Sequence, residues 1–167
     1  MRLTPIAITL AIAFATMATT GHGQKPDDQV DPRSVALAQE AQALTAQARY
    51  LEATDLFETA LAVDPRNRQA YIGLARAAQG LKLPGKAVKF YFEALKLEPN
   101  DVNALAGQGE ALVQRGAVER AKLNLERVRK LCAKACPQAD QLAAAIAKGP
   151  PPEVLTAQRP EPSPAKN

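Results

Sequence analysis

Apolar residues recur at intervals of three, four and seven between residues 33 and 147, with polar residues between them. This spacing puts apolar side chains on one face of an α-helix, whereas a half-buried strand would alternate them at every second residue. The pattern predicts an all-α chain. Its helices should cover about 33–47, 51–63, 68–80, 84–97, 102–114, 118–133 and 137–147.

Residues with strong positional preferences mark the ends of these helices. Asn67 and the pair Asn100-Asp101 precede predicted helices and are plausible N-caps, and Pro84 suits a first helical turn. Gly80 and Gly116 fall in the turns within helix pairs, where we expect a positive φ.

The helix pairs repeat with a period of 34 residues. Six columns of small or large apolar positions keep this spacing, and a proline column closes two of the three copies. The columns are Leu37, Tyr71 and Leu105; Ala41, Ala75 and Gly109; Leu44, Ala78 and Leu112; Ala53, Ala87 and Ala121; Phe57, Tyr91 and Leu125; Ala60, Ala94 and Val128; and Pro65 and Pro99, with Ala133 in the third place.

A 34-residue period with a small residue, an aromatic, a small residue and a proline at these offsets resembles the tetratricopeptide repeat. The resemblance covers about residues 34–133 and is best in the middle copy. It implies an α-solenoid of three helix-turn-helix repeats, at about 34–67, 68–101 and 102–135, within a domain spanning about 32–147. The helix at about 137–147 would be a capping helix.

In the tetratricopeptide family, the first helix of each pair (the front helix) lines a concave groove that holds peptides or partner helices. The resemblance therefore implies a protein or peptide partner here. The matching groove positions are Gln42, Thr45, Gln69, Ile72, Arg76, Gln79, Asn103, Ala106 and Glu110. Amides would pair with a peptide backbone and Arg76 with a carboxylate, although the same residues also fit an ordinary solvated helix face.

The family's clamp for a terminal carboxylate is missing. Its Lys and Asn positions are occupied here by Ala38, Gln42, Gly73, Asn103 and Gly107. Chaperone C-terminal recognition of that type is not expected.

Composition agrees with close-packed helices. The 167 residues are 47% hydrophobic, yet they include only four Phe, three Tyr and no Trp. Abundant Ala favours helix over strand, which argues against a β-sandwich or barrel.

Both ends differ from the repeat region. Residues 1–23 contain Arg2, an apolar run from Ile6 to Ala18 and small residues up to Gly23, a pattern typical of a secretory signal peptide. An uncleaved anchor is the alternative. Residues 24–31 would be a linker, and the Pro-rich tail at 148–167 should be extended and disordered. We therefore expect an exported protein, in a bacterial periplasm.

Cys132 and Cys136 directly precede Pro137, the first residue of the predicted capping helix. A disulfide across this turn would fasten the cap onto the third repeat. Free buried thiols and a thiol redox function are the alternatives, but C-x-x-x-C lacks the two-residue spacing of thiol oxidoreductases.

The second helix of the third copy (a rear helix) and its flanks are basic, within a net charge of +4. Their cations are Arg115, Arg120, Lys122, Arg127, Arg129, Lys130 and Lys134, opposed by Glu119 and Glu126. This charge fits an anionic membrane surface, an acidic partner or simply a solvated convex face. Nucleic acid is not expected, since exposed aromatics for base stacking are missing from the pattern.

No nucleophile–base pair, phosphate-binding loop or metal-ligand spacing is present in the sequence, which predicts no enzymatic activity, cofactor or metal. The sequence favours a non-catalytic, exported module that binds protein partners in its groove. A subunit of an envelope assembly or cytochrome-maturation complex, and a thiol redox protein, are the alternatives. Three repeats are about the minimum for a self-standing solenoid, so self-association is a further expectation.

Overall fold

The computed structural model describes residues 29–132 and 135–157, and within these ranges the regular structure is all helical. The predicted order of three helix pairs and a capping helix is confirmed. The helices are α1 (Pro32–Ala46), α2 (Tyr50–Val63), α3 (Arg68–Gly80), α4 (Pro84–Leu97), α5 (Val102–Gln114), α6 (Val118–Leu131), α7 (Pro137–Lys148) and the short α8 (Pro152–Ala157).

The predicted caps are found at the starts of the front helices α3 and α5. The side chain of Asn67 accepts a hydrogen bond from the Ala70 amide at 3.1 Å, and that of Asp101 accepts one from Ala104 at 2.9 Å. At the other end, α6 stops at Leu131, two residues before the predicted end, because Cys132 adopts an extended conformation. The Asn67 and Asp101 side chains thus satisfy N–H groups at the starts of α3 and α5 that have no partner inside the helix.

A left-handed residue makes each turn within a pair. Ala48, Lys82 and Gly116 are spaced 34 apart and have φ of 59°, 58° and 80°. The expectation that Gly80 fills this role is wrong, since Gly80 is the last residue of α3. A side chain at Gly80 would overlap the Tyr50 ring, so the need for glycine there is one of space.

Large side chains of the rear helices pack onto glycines of the next front helix. Phe57 and Tyr91 are almost fully buried, at 0% and 2% exposure. A Cβ on Gly73 would overlap the Phe57 ring, and one on Gly107 would overlap Tyr91. The prediction that these rings fill the gap to the next pair is confirmed, and the close approach explains why few aromatics suffice.

The capping helix completes the stack. Helix α7 packs on both α5 and α6, and Leu142 of α7, fully buried, lies against the place where a Cβ of Gly109 would be. It therefore covers the apolar face of the third repeat, as predicted.

A buried polar network joins the start of α1 to the turn between α2 and α3. The Asp64 carboxylate accepts hydrogen bonds from the Asp31 amide at 3.0 Å and from the Arg66 backbone and guanidinium at 2.8–3.1 Å. These donors hold the pKa of the Asp64 carboxyl far below its usual value, the Arg66 side chain contributing most. Nearby, Asn67 donates to the buried Ser34 hydroxyl at 2.9 Å.

The predicted extended tail needs a correction. Residues 152–157 form α8, because Pro152 is tolerated in a first helical turn and no further proline follows until Pro160. Residues 1–28 and 158–167 lie outside the described residues, so the signal peptide, most of the linker and the end of the tail remain predictions. None of the helices described could span a membrane, being too short or too polar.

Candidate peptide-binding groove

The front helices α3 and α5 and the capping helix α7 line a concave pocket of about 160 Å³. We call it the groove pocket. Its lining is mostly polar and consists of Arg76, Gln79, Tyr91, Asn103, Ala106, Gly107, Glu110, Gln138 and Gln141. Amide side chains on three successive helices can each donate and accept hydrogen bonds.

Five of the nine predicted groove residues line this pocket: Arg76, Gln79, Asn103, Ala106 and Glu110. The other four lie outside it. Gln42 and Gln69 are exposed elsewhere, and the Thr45 hydroxyl donates to the Ala41 carbonyl at 2.9 Å within its own helix. Ile72 is 2% exposed in the core. Its helix α3 packs against α1, α2, α4 and α5.

Charge inside the groove pocket is concentrated at Arg76 and Glu110, which occupy equivalent positions of the successive front helices α3 and α5. Partial burial raises the pKa of the Glu110 carboxyl, and the nearby Arg76 guanidinium opposes that rise. Burial likewise raises the pKa of the Tyr91 hydroxyl to about 12. That hydroxyl remains protonated and donates to the Gln79 side chain at 2.9 Å, which fixes the amide in the wall.

Sequence reasoning missed Tyr91, Gly107, Gln138 and Gln141. The turn before α7 is one residue longer than the earlier turns, since α3, α5 and α7 begin at Arg68, Val102 and Pro137. With this shift, Gln138 and Gln141 occupy the helix positions of Asn103 and Ala106. A 35-residue step would have found both. Gln138 also donates to Asn103 at 3.1 Å, which joins α7 to α5 across the pocket.

The groove continues past the C-terminal ends of the front helices. A larger open hollow of about 710 Å³ lies between α5, α7 and the segment Gly149–Pro152, and it shares Glu110 with the groove pocket. The chain leaving α7 therefore forms one wall of the concave face.

Cys132 and Cys136 form a disulfide in the structure, with their Cα atoms 5.9 Å apart. Cys132 occupies the repeat position of Asp64 and Glu98, which lie in the two earlier turns between repeats. Each of those carboxylates accepts a hydrogen bond from the backbone amide two residues later, at 3.0 Å. A covalent link thus replaces the acidic side chain that organises the earlier turns. Cys136, 8% exposed, is poorly placed to meet a thiol substrate.

The basic rear helix α6 is partly neutralised. Lys122 pairs with Glu119 at 2.7 Å, and Arg127 donates to the Pro99 carbonyl at 2.8 Å. Arg120, Arg129 and Lys130 are exposed on its outer face, as is Leu123. Lys134 lies outside the described residues.

The positions of the missing carboxylate clamp have mostly structural roles. Ala38 is buried in the first repeat, and Gly73 and Gly107 lie under the Phe57 and Tyr91 rings. Larger cationic side chains would not fit beneath those rings. Across the ranges described, no cluster of three His, Cys, Asp or Glu side chains could hold a metal ion.

Solved structures similar to the chain are tetratricopeptide-repeat domains. They include the first such domain of Spaghetti (RPAP3) bound to the HSP90 peptide SRMEEVD, with 24% identity, a TM-score of 0.64, and coverage of 70% of this chain and 91% of that one. The domain of Sgt2 from Aspergillus fumigatus has 22% identity, a TM-score of 0.65, and coverage of 81% and 88%. The Yersinia enterocolitica type III secretion chaperone SycD, in complex with a peptide of the translocator YopD, has 18% identity, a TM-score of 0.60, and coverage of 68% and 86%.

No family model and no curated protein matches the sequence. The structural likeness establishes that the chain has the tetratricopeptide-repeat fold.

Proposed function

We propose that this chain is a non-catalytic protein-interaction module that holds an extended peptide segment of a partner protein in the groove pocket. The observation that carries the proposal is the convergence of polar side chains from α3, α5 and α7 on one concave surface: Arg76, Gln79, Asn103, Glu110, Gln138 and Gln141. Domains of the same fold bind peptides in solved structures, which supports the same use of this fold here.

The chemistry of the wall suits a peptide backbone. Each amide side chain offers both a donor and an acceptor, which matches the alternating N–H and C=O groups of an extended chain. The exposed Arg76 guanidinium, near the half-buried Glu110, provides a site for a carboxylate of the ligand. Because the clamp residues are replaced, we expect recognition of an internal segment and no requirement for a free C-terminus.

Site-specific photocrosslinking tests this proposal. A photoreactive amino acid at Gln141, exposed on the groove side, should capture a partner in native cells. The same amino acid at Glu126, exposed on rear helix α6, is the matched control. Arg76→Glu should abolish capture, whereas Arg129→Glu, an equal change of charge on α6, should preserve it. Capture that depends on position 126 and ignores Arg76 would overturn the proposal.

We also propose, independently of the groove, that the protein is exported. The N-terminal pattern of Arg2, the apolar run and the small residues supports export to a bacterial periplasm. Fractionation of native cells with N-terminal sequencing of the purified protein tests it. A chain that retains Met1 and stays in the cytoplasm would refute export without affecting the groove.

A further inference from the structure

A cationic hollow lies outside the groove, at the edge where the turns of the second and third repeats meet. It is an open depression of about 470 Å³ lined by Lys82, Leu83, Pro84, Gly85, Lys86, Lys89 and Arg115. Four of its seven lining residues are cations. They come from the α3–α4 turn, the first turns of α4, and the residue that follows α5.

These four cations lack acidic partners within residues 29–132 and 135–157. Elsewhere the chain pairs such groups locally: Arg49, Lys96 and Lys122 each meet a glutamate three residues away. Helix α4 has a single acidic residue, Glu93, and it is already paired with Lys96 at 2.7 Å. Like charges kept together without counter-charges destabilise a fold slightly, so an external anion would relieve their repulsion.

The shape and lining of the cationic hollow select the kind of anion. Leu83, 40% exposed, and Pro84 add apolar surface to its lining, which suits the aliphatic parts of a peptide. Aromatic side chains are missing from its lining, so nucleic-acid bases have nothing to stack on. Its single exposed apolar side chain offers little to insert into a bilayer.

The cationic hollow lies close to the groove. An intervening hollow shares Lys82 and Pro84 with it and shares Gln79 with the groove pocket. Glu153 also lines this intervening hollow.

We propose that the cationic hollow formed by Lys82, Lys86, Lys89 and Arg115 is a binding site for an acidic peptide segment of a partner protein, separate from the groove pocket. Binding is electrostatic, so it weakens as salt screens the charges. It does not require Arg76 or the amides of the groove.

A labelled octaglutamate peptide and fluorescence anisotropy at low salt test the site. The wild-type chain should bind, and Lys86→Glu/Lys89→Glu should raise Kd by about tenfold or more. The matched control is Arg120→Glu/Arg129→Glu, which makes the same change of net charge on α6 and should raise Kd by less than about threefold. Arg115→Glu alone should weaken binding in the same direction as the first variant.

All six substituted sites, including Arg76, are exposed, and a thermal melt of each variant followed by circular dichroism verifies that it is folded. Equal loss in the hollow and α6 variants would show a general charge effect and overturn the proposal, as would a wild type that binds no peptide. Tighter binding to anionic phospholipid vesicles or to single-stranded DNA than to octaglutamate would also overturn it. Arg76→Glu should leave octaglutamate binding unchanged, so failure here and failure of the groove proposal are separable.

Discussion

The substitution Gly73→Ala tests how closely the repeats pack. Gly73 lies inside α3, where alanine would normally stabilise a helix by about 1 kcal/mol. Here, however, the new Cβ would overlap three atoms of the Phe57 ring, and that ring is 0% exposed. Overpacking of this kind costs about 1–3 kcal/mol or more. The steric cost exceeds the gain in helix propensity, and we expect a net destabilisation of about 1 kcal/mol or more.

Gly85→Ala is the matched control for this prediction. Gly85 also lies in a helix, and nothing is within 4 Å of the Cβ that the change would add. The same substitution should therefore stabilise the protein, by about 0.5 kcal/mol, because only the helix propensity changes. The changes in the free energy of unfolding should therefore have opposite signs in the two variants, because only the Cβ added at Gly73 meets the Phe57 ring.

Urea unfolding followed by circular dichroism measures both free energies. A third variant, Phe57→Leu/Gly73→Ala, separates steric overlap from other causes, since the smaller side chain leaves room for the methyl group. Its destabilisation should be smaller than the sum of the two single changes by about 1 kcal/mol or more. The reasoning is refuted if Gly73→Ala is as stable as the wild type, or if the two single effects are additive.

Three further predictions follow from the turns, the polar network and the disulfide. Both Gly116 and Ala48 have positive φ, so Gly116→Ala should destabilise the chain by about 1 kcal/mol and Ala48→Gly should stabilise it by somewhat less. Urea unfolding measures both changes, and effects of the same sign would contradict this. Since the folded pKa of Asp64 lies below its unfolded value of 3.8, its contribution to stability is present above that pH and is lost as pH falls through the folded pKa. Asp64→Asn should thus lose more stability relative to wild type at pH 6 than in strong acid; an equal loss at both would exclude the linkage. Reduction of Cys132–Cys136 should lower the free energy of unfolding by about 2 kcal/mol, and Cys132→Ser/Cys136→Ser should reproduce the loss and abolish sensitivity to reductant.

The sequence by itself determined the helices, their pairing and the capping helix. Periodic apolar positions are a local property, and every predicted helix up to α7 lies within a few residues of its observed bounds. The 34-residue columns also identified Phe57 and Tyr91 as the rings that bridge successive pairs, because a repeat places equivalent residues in equivalent contacts.

Only the tertiary structure decided which residues face the groove pocket. Ile72 has the helix position of Ala106, yet Ile72 packs into a core cluster and does not line the pocket, whereas Ala106 does. One extra residue before α7 moves Gln138 and Gln141 out of the 34-residue register and into the site. Likewise, Gly80 needs space for Tyr50, which no local pattern shows. Helix periodicity is set by the backbone within a few residues. The groove depends on loop length and on contacts between side chains that are distant in sequence.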